Sequence, residues 1–111
     1  MRLDSGRIEI LNTGGSVFLG DGAGANDDYF ANDNVFIGDS TGYSNTSGFH
    51  NTFIGQNAGY SNTAGRNNTF LGVTAGYSNT TADSNTSIGS RAGYSNTTGF
   101  QNTFLGNQSG Y

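Results

Sequence analysis

The chain has 111 residues, of which 32% are hydrophobic, 11% charged and 19 are glycine, with a formal net charge of -4. This is too little apolar material for a conventional globular core, and four arginines without a single lysine exclude a phosphate-binding surface for nucleic acid. Cysteine and proline are absent, so disulfides and thiolate metal sites are excluded as well, and no apolar run reaches the roughly 18 residues that crossing a membrane needs.

Residues 1 to 15 stand outside any repeat. Arg7-Ile8-Glu9-Ile10-Leu11 alternates like one β-strand, expected to act as a lead-in that closes the first coil. The opening Met1-Arg2-Leu3-Asp4-Ser5-Gly6 lacks the apolar segment of a signal peptide, which suggests a mature or excised piece if the protein is exported.

From Asn34 the chain repeats every 17 residues: Asn34, Asn51, Asn68, Asn85 and Asn102 open near-copies of Asn-Thr-Phe-(Ile/Leu)-Gly-x-x-Ala-Gly-Tyr-Ser-Asn-Thr-x-Gly-x-x. Residues 16–33 form a divergent first unit with one extra residue, followed by 34–50, 51–67, 68–84, 85–101 and a partial unit, 102–111, that stops in mid-coil at Tyr111; the expectation is a segment of something longer. A short fixed period marks a stacked protein in which each unit buries its apolar residues only against its neighbours. Seventeen residues are too few for two helices and a turn but suit one winding of an all-β parallel β-solenoid, a β-roll, and the register argues against disorder.

Within each unit, neighbouring Phe and Ile/Leu residues point to opposite faces of a strand. The aliphatic column Ile37, Ile54, Leu71, Ile88 and Leu105 is never interrupted and is expected to fill the bore. The column Phe18, Phe36, Phe53, Phe70 and Phe104, broken by Ser87, is then expected on the surface as an inter-chain interface along which rods associate. A bulge turning both columns inward is the alternative. Asn34, Asn51, Asn68, Asn85 and Asn102, and the pairs Asn45-Thr46, Asn62-Thr63, Asn79-Thr80 and Asn96-Thr97, read as corners whose amides stack into ladders. Tyr43, Tyr60, Tyr77, Tyr94 and Tyr111 form a second aromatic column.

Little here resembles catalysis. The only imidazole, His50, occupies a variable position held elsewhere by Asn67, Ser84 and Gln101, and no serine lies in a Gly-x-Ser-x-Gly elbow with a plausible triad. Asp21, Asp27, Asp28, Asp33 and Asp39 put five of the eight acidic groups into 19 residues. Their spacing fits no calcium loop, so a solvated loop is the first reading and a Ca2+ site the other; no further cofactor is implied. Regular Thr columns raise ice binding, and the Tyr and Asn columns raise sugar binding, as lesser alternatives.

Asn51-Thr52-Phe53-Ile54-Gly55, Ala58-Gly59-Tyr60-Ser61-Asn62-Thr63 and Asn102-Thr103-Phe104-Leu105-Gly106 resemble the Asn-Thr-(Ala/Phe)-(Val/Ile/Leu)-Gly repeats of large bacterial surface and tail-fibre-like proteins. They are also similar to the Asn-Ser-Val-Ala-Ile-Gly repeats of trimeric autotransporter adhesin heads. The resemblance spans about residues 16 to 111. It implies a left-handed roll, three chains about one axis, and a rigid extracellular or cell-surface stalk or head without enzymatic activity, whose partners are its own copies and a surface glycan or receptor. The period of 17 is longer than in those heads, so each winding holds an extra corner or a longer side. A head-to-tail filament, in which the end at Tyr111 accepts the Arg7 to Leu11 strand of the next copy, is the alternative.

Overall fold

The computed structural model describes residues 2–4, 6–9 and 14–111. It is an all-β parallel solenoid of about five turns. Eight three-residue strands follow one another: β1 Arg2–Asp4, β2 Arg7–Glu9, β3 Val17–Leu19, β4 Val35–Ile37, β5 Thr52–Ile54, β6 Thr69–Leu71, β7 Thr86–Ile88 and β8 Thr103–Leu105. Strands β3 to β8 pair in sequence order into one parallel six-stranded sheet, and there is no helix among the described residues, hence none long and apolar enough to cross a membrane. Each strand lies one repeat beyond the last, with Phe36 opposite Phe53 and Phe53 opposite Phe70. The step from β3 to β4 absorbs the extra residue of the first coil, since Phe18 pairs with Phe36.

The lead-in differs from its expectation. Arg7–Glu9 pairs antiparallel with Arg2–Asp4 in a separate two-stranded sheet and does not extend the solenoid; Ile10 and Leu11 lie outside the described residues. A turn at Gly6 brings the two strands back to back, and an antiparallel partner so close in sequence satisfies the strand's hydrogen bonds locally.

Pairing between coils continues beyond the sheet. Gly59 N–H donates to the Ala75 carbonyl at 2.9 Å, Ser61 to Tyr77 at 3.1 Å and Thr63 to Thr80 at 2.9 Å, while Asn67 donates back to Phe49 at 3.1 Å. A 17-residue winding therefore needs only three extended residues, because its remaining sides meet their backbone demands through register rather than regular strand geometry.

Two glycines explain why the winding closes where it does. Gly55 ends the strand at φ 126°, and a Cβ there would lie 2.6 Å from the Gly72 carbonyl oxygen of the next coil. Gly59, at φ 58°, sits on the Phe53 ring so closely that a Cβ would occupy the ring's own space. Other corners use left-handed backbone without glycine. Asn57 at φ 57° is an ordinary occupant, but Thr74 at φ 56° is β-branched and strained. Replacing Thr74 by Asn, as the preceding coil has it, is expected to raise stability by about 1 kcal/mol, and Asn57→Thr to lower it similarly; urea unfolding of both variants checks the sign.

The core inverts the expected assignment of the two columns. Phe36 and Phe53 are 0% exposed, Phe70 is buried, and with Ala58 and Ala75 they form the hydrophobic cluster, with Phe18 and Ala23 packed against it. Ile37, Leu71 and Ile88 are only half-buried, whereas Ile54 is 37% and Leu105 72% exposed. The alternation is as expected, without a bulge; the Phe side faces the bore and the Ile/Leu side faces out. Flat rings fit a bore with one side chain per coil. They stack at 4.8 Å from Phe36 to Phe53 and at 4.7 Å from Phe53 to Phe70, within 9° of parallel, which is the spacing of neighbouring strands. Phe104, in the last coil, is half-buried rather than an interface residue. Ser87, whose presence argued for a tolerant outer surface, is buried in the same column, with Phe70 and Phe104 as its strand neighbours.

Candidate functional site

The Asn columns, read as corners with stacked amides, are buried from Asn34 to Asn85 and half-buried at Asn96 and Asn102. At the first repeat position each backbone N–H bonds the previous Asn side chain: Asn51 donates to Asn34 Oδ1, Asn68 to Asn51 Oδ1, Asn85 to Asn68 Oδ1 and Asn102 to Asn85 Oδ1, all at 2.9 Å. Their own Nδ2 groups donate across the winding to the carbonyls of Gly48, Gly65, Ala82 and Gly99. The column at the twelfth position is a true amide ladder: Asn79 Nδ2 donates to Asn62 Oδ1 and Asn62 Nδ2 to Asn45 Oδ1, each at 2.8 Å. The amides thus all point the same way, toward the first coil.

Asp27 terminates that ladder. Its Oδ2 accepts Asn45 Nδ2 at 3.0 Å and Asn34 Nδ2 at 3.2 Å; its Oδ1 accepts Tyr29 N–H at 2.8 Å and Asn32 Nδ2 at 3.0 Å. A carboxylate, which only accepts, suits a place where four donors converge. The five acidic residues, read first as a solvated loop and otherwise as a Ca2+ site, do not converge on one point. Asp27 faces inward, Asp28 accepts Phe30 N–H and Asn32 Nδ2, Asp33 lies 3.7 Å from exposed His50, Asp39 accepts Ser40 Oγ, and Asp21 is exposed. Among the described residues no three His, Cys, Asp or Glu side chains come together to hold a metal ion.

Tyr43, Tyr60, Tyr77 and Tyr94 stack at 5.1 to 5.3 Å within 7° of parallel, and Tyr111 follows at 5.3 Å, tilted by 32°. The ring faces along this column are covered by one another. Between two coils only edges and hydroxyls are left for solvent, so stacking a sugar on a tyrosine face there is unavailable.

Two outer surfaces carry the side chains free to meet a partner. The first is the outward face of the six-stranded sheet, with one column of Val17, Val35, Thr52, Thr69, Thr86 and Thr103 beside another of Leu19, Ile37, Ile54, Leu71, Ile88 and Leu105. At about 4.8 Å per strand it forms a band about 24 Å long. The second is the corner made by the last residues of each unit, where the repeats differ most. Arg66 lies 5.6 Å over the Phe49 ring and pairs with Asp83, Nε to Oδ2 at 3.0 Å, while its N–H donates to Asp83 Oδ1 at 2.9 Å. One coil further, Thr81, Ala82, Asp83 and Ser84 with Thr98, Phe100 and Gln101 line an open groove of about 290 Å3. Reasoning from the repeat missed this corner because it attends to what recurs; the signal was the change of residue type at Phe49, Arg66, Asp83 and Phe100.

Compared with protein-family models, with curated proteins and with solved structures, the chain matches none.

Proposed function

We propose that this chain is a non-catalytic structural and adhesive segment of an extracellular or cell-surface fibre, in which copies associate laterally through the outward sheet face, three about one axis. The observation that carries the reading is the partly exposed Ile/Leu column, with Leu19, Ile54 and Leu105 the most open: a regular apolar band on one side of a narrow rod is hydrophobic surface that a second copy can cover. The resemblance of the Asn-Thr-Phe-Ile-Gly strings to adhesin heads supports the chain number, the left-handed winding and the location. Since the Phe rings are sealed inside, the contact proposed from the sequence passes to their neighbours on the strand.

Sedimentation velocity tests this. A discrete trimer is expected for the native chain, and the pair Ile54→Glu with Leu71→Glu is expected to give a monomer that still unfolds cooperatively, since both side chains leave the bore untouched. A native chain that stays monomeric at its highest soluble concentration would remove the proposal. Polymers that lengthen with concentration would favour head-to-tail growth instead.

A further inference from the structure

We infer that the groove at the corner between coils 68–84 and 85–101 binds one pyranose ring of a glycan. The inference rests on the adhesive reading only for the setting in which the groove is displayed. At about 290 Å3 it is at the small end of ligand sites, room for a single ring rather than a peptide.

Its chemistry suits a ring with one C–H face and a rim of hydroxyls. Phe100 is 68% exposed, and among the described residues no other ring or cation lies against it, whereas Phe49 at the same place in an earlier coil is covered by Arg66 and met edge-on by His50 at 4.9 Å. Phe100 is thus an uncovered aromatic surface beside a groove, able to pack on the C–H side of a sugar. Around it stand the hydroxyls of Thr81, Ser84 and Thr98, the Gln101 amide and the Asp83 carboxylate, which together both donate to and accept from sugar hydroxyls. Arg66 fixes Asp83 while leaving lone pairs open, and offsets its charge toward a neutral ligand.

The corner is also held ready. Ser84 N–H donates to the Arg66 carbonyl at 3.0 Å and Gln101 N–H to the Asp83 carbonyl at 3.1 Å, so the backbone beneath the groove is tied to the preceding coil on both sides. Binding then costs little ordering.

Heteronuclear NMR titration of the full chain with methyl glucoside, methyl galactoside, methyl mannoside and methyl N-acetylglucosaminide tests the proposal. The expected result is saturable shifts with at least one probe, confined to residues 81–84 and 98–101 and the Phe100 ring. Phe100→Ala is expected to weaken binding at least tenfold without moving the unfolding midpoint, and Phe100→Trp to retain it. No saturable shift with any of the four, shifts centred elsewhere, or equal binding by Phe100→Ala would each overturn it. Sedimentation of the same samples is expected to show Phe100→Ala associating as the native chain does, so failure of sugar binding and failure of lateral association are read separately.

Discussion

Replacing Phe53 by alanine is expected to cost about 3–5 kcal/mol, whereas replacing its neighbour Ile54 by alanine is expected to cost the single chain less than about 1 kcal/mol. The two residues are adjacent in β5 and similar in apolar character, so the contrast arises from direction alone. Phe53 is enclosed between the rings of Phe36 and Phe70, against Gly59 and beside Ala58, and truncating it leaves a ring-sized void in a column that cannot collapse, because register with the coils on either side holds the strands in place. Ile54 loses only partly exposed surface. If copies associate as proposed, the order of effects shifts: Ile54→Ala is expected to weaken that association, while Phe53→Ala is expected to unfold the chain itself. Urea unfolding at high dilution measures the first difference and sedimentation the second. Equal costs for the two in the monomer would show that the bore is not built as described.

The second large effect belongs to the amide ladder. Asn62→Ala removes the donor to Asn45 Oδ1 and the acceptor of Asn79 Nδ2 in a fully buried place. The damage is limited, because the Gly65 carbonyl keeps Asn51 Nδ2 at 2.8 Å and Asn79 Nδ2 keeps the Ala82 carbonyl at 3.2 Å. One orphaned oxygen and a small cavity then suggest a loss of about 2–4 kcal/mol. Asn62→Asp is expected to be worse than alanine although it is isosteric, since it sets a carboxylate oxygen against Asn45 Oδ1 and the Gly65 carbonyl and buries a charge for which, among the described residues, Asn79 is the one side-chain donor. At Asp27 the preference reverses. Asp27→Asn turns an amide nitrogen toward two incoming donors in either orientation of the side chain, for a loss of about 1–3 kcal/mol. Thermal unfolding at a single pH ranks the three variants, and an Asn62→Asp protein as stable as the native one would contradict the polarity assigned to the ladder.

Much of this architecture was legible in the residue order. The 17-residue recurrence located the strands of the solenoid sheet, from the divergent unit that holds Phe18 to Thr103–Leu105, and the alternation of Phe with Ile/Leu was read correctly as two opposed columns. The recurrence also marked the Asn and Tyr columns, because identical residues one winding apart come to lie on top of one another, although only the twelfth-position Asn residues bond amide to amide. Asp27 was visible only as one acid among five; nothing local distinguishes a residue that ends a buried hydrogen-bonded column from a solvated loop carboxylate.

What the residue order left undecided was the sign of the alternation. A period of two states that Phe53 and Ile54 part company, but not which of them looks inward, and uninterrupted aliphatic character was a misleading guide. The winding itself decides. Ala58 and Gly59 line the wall opposite the strand, and with the Asn amides occupying the rest of the bore the remaining space is a slot as wide as a phenyl ring and one strand spacing deep. Planar rings stack in that slot at 4.7 Å, one per strand spacing, and fill it between the Ala58 and Gly59 wall and the strand. The choice of buried face therefore follows from the dimensions of the closed coil, which exist only once residues many positions apart have been brought together.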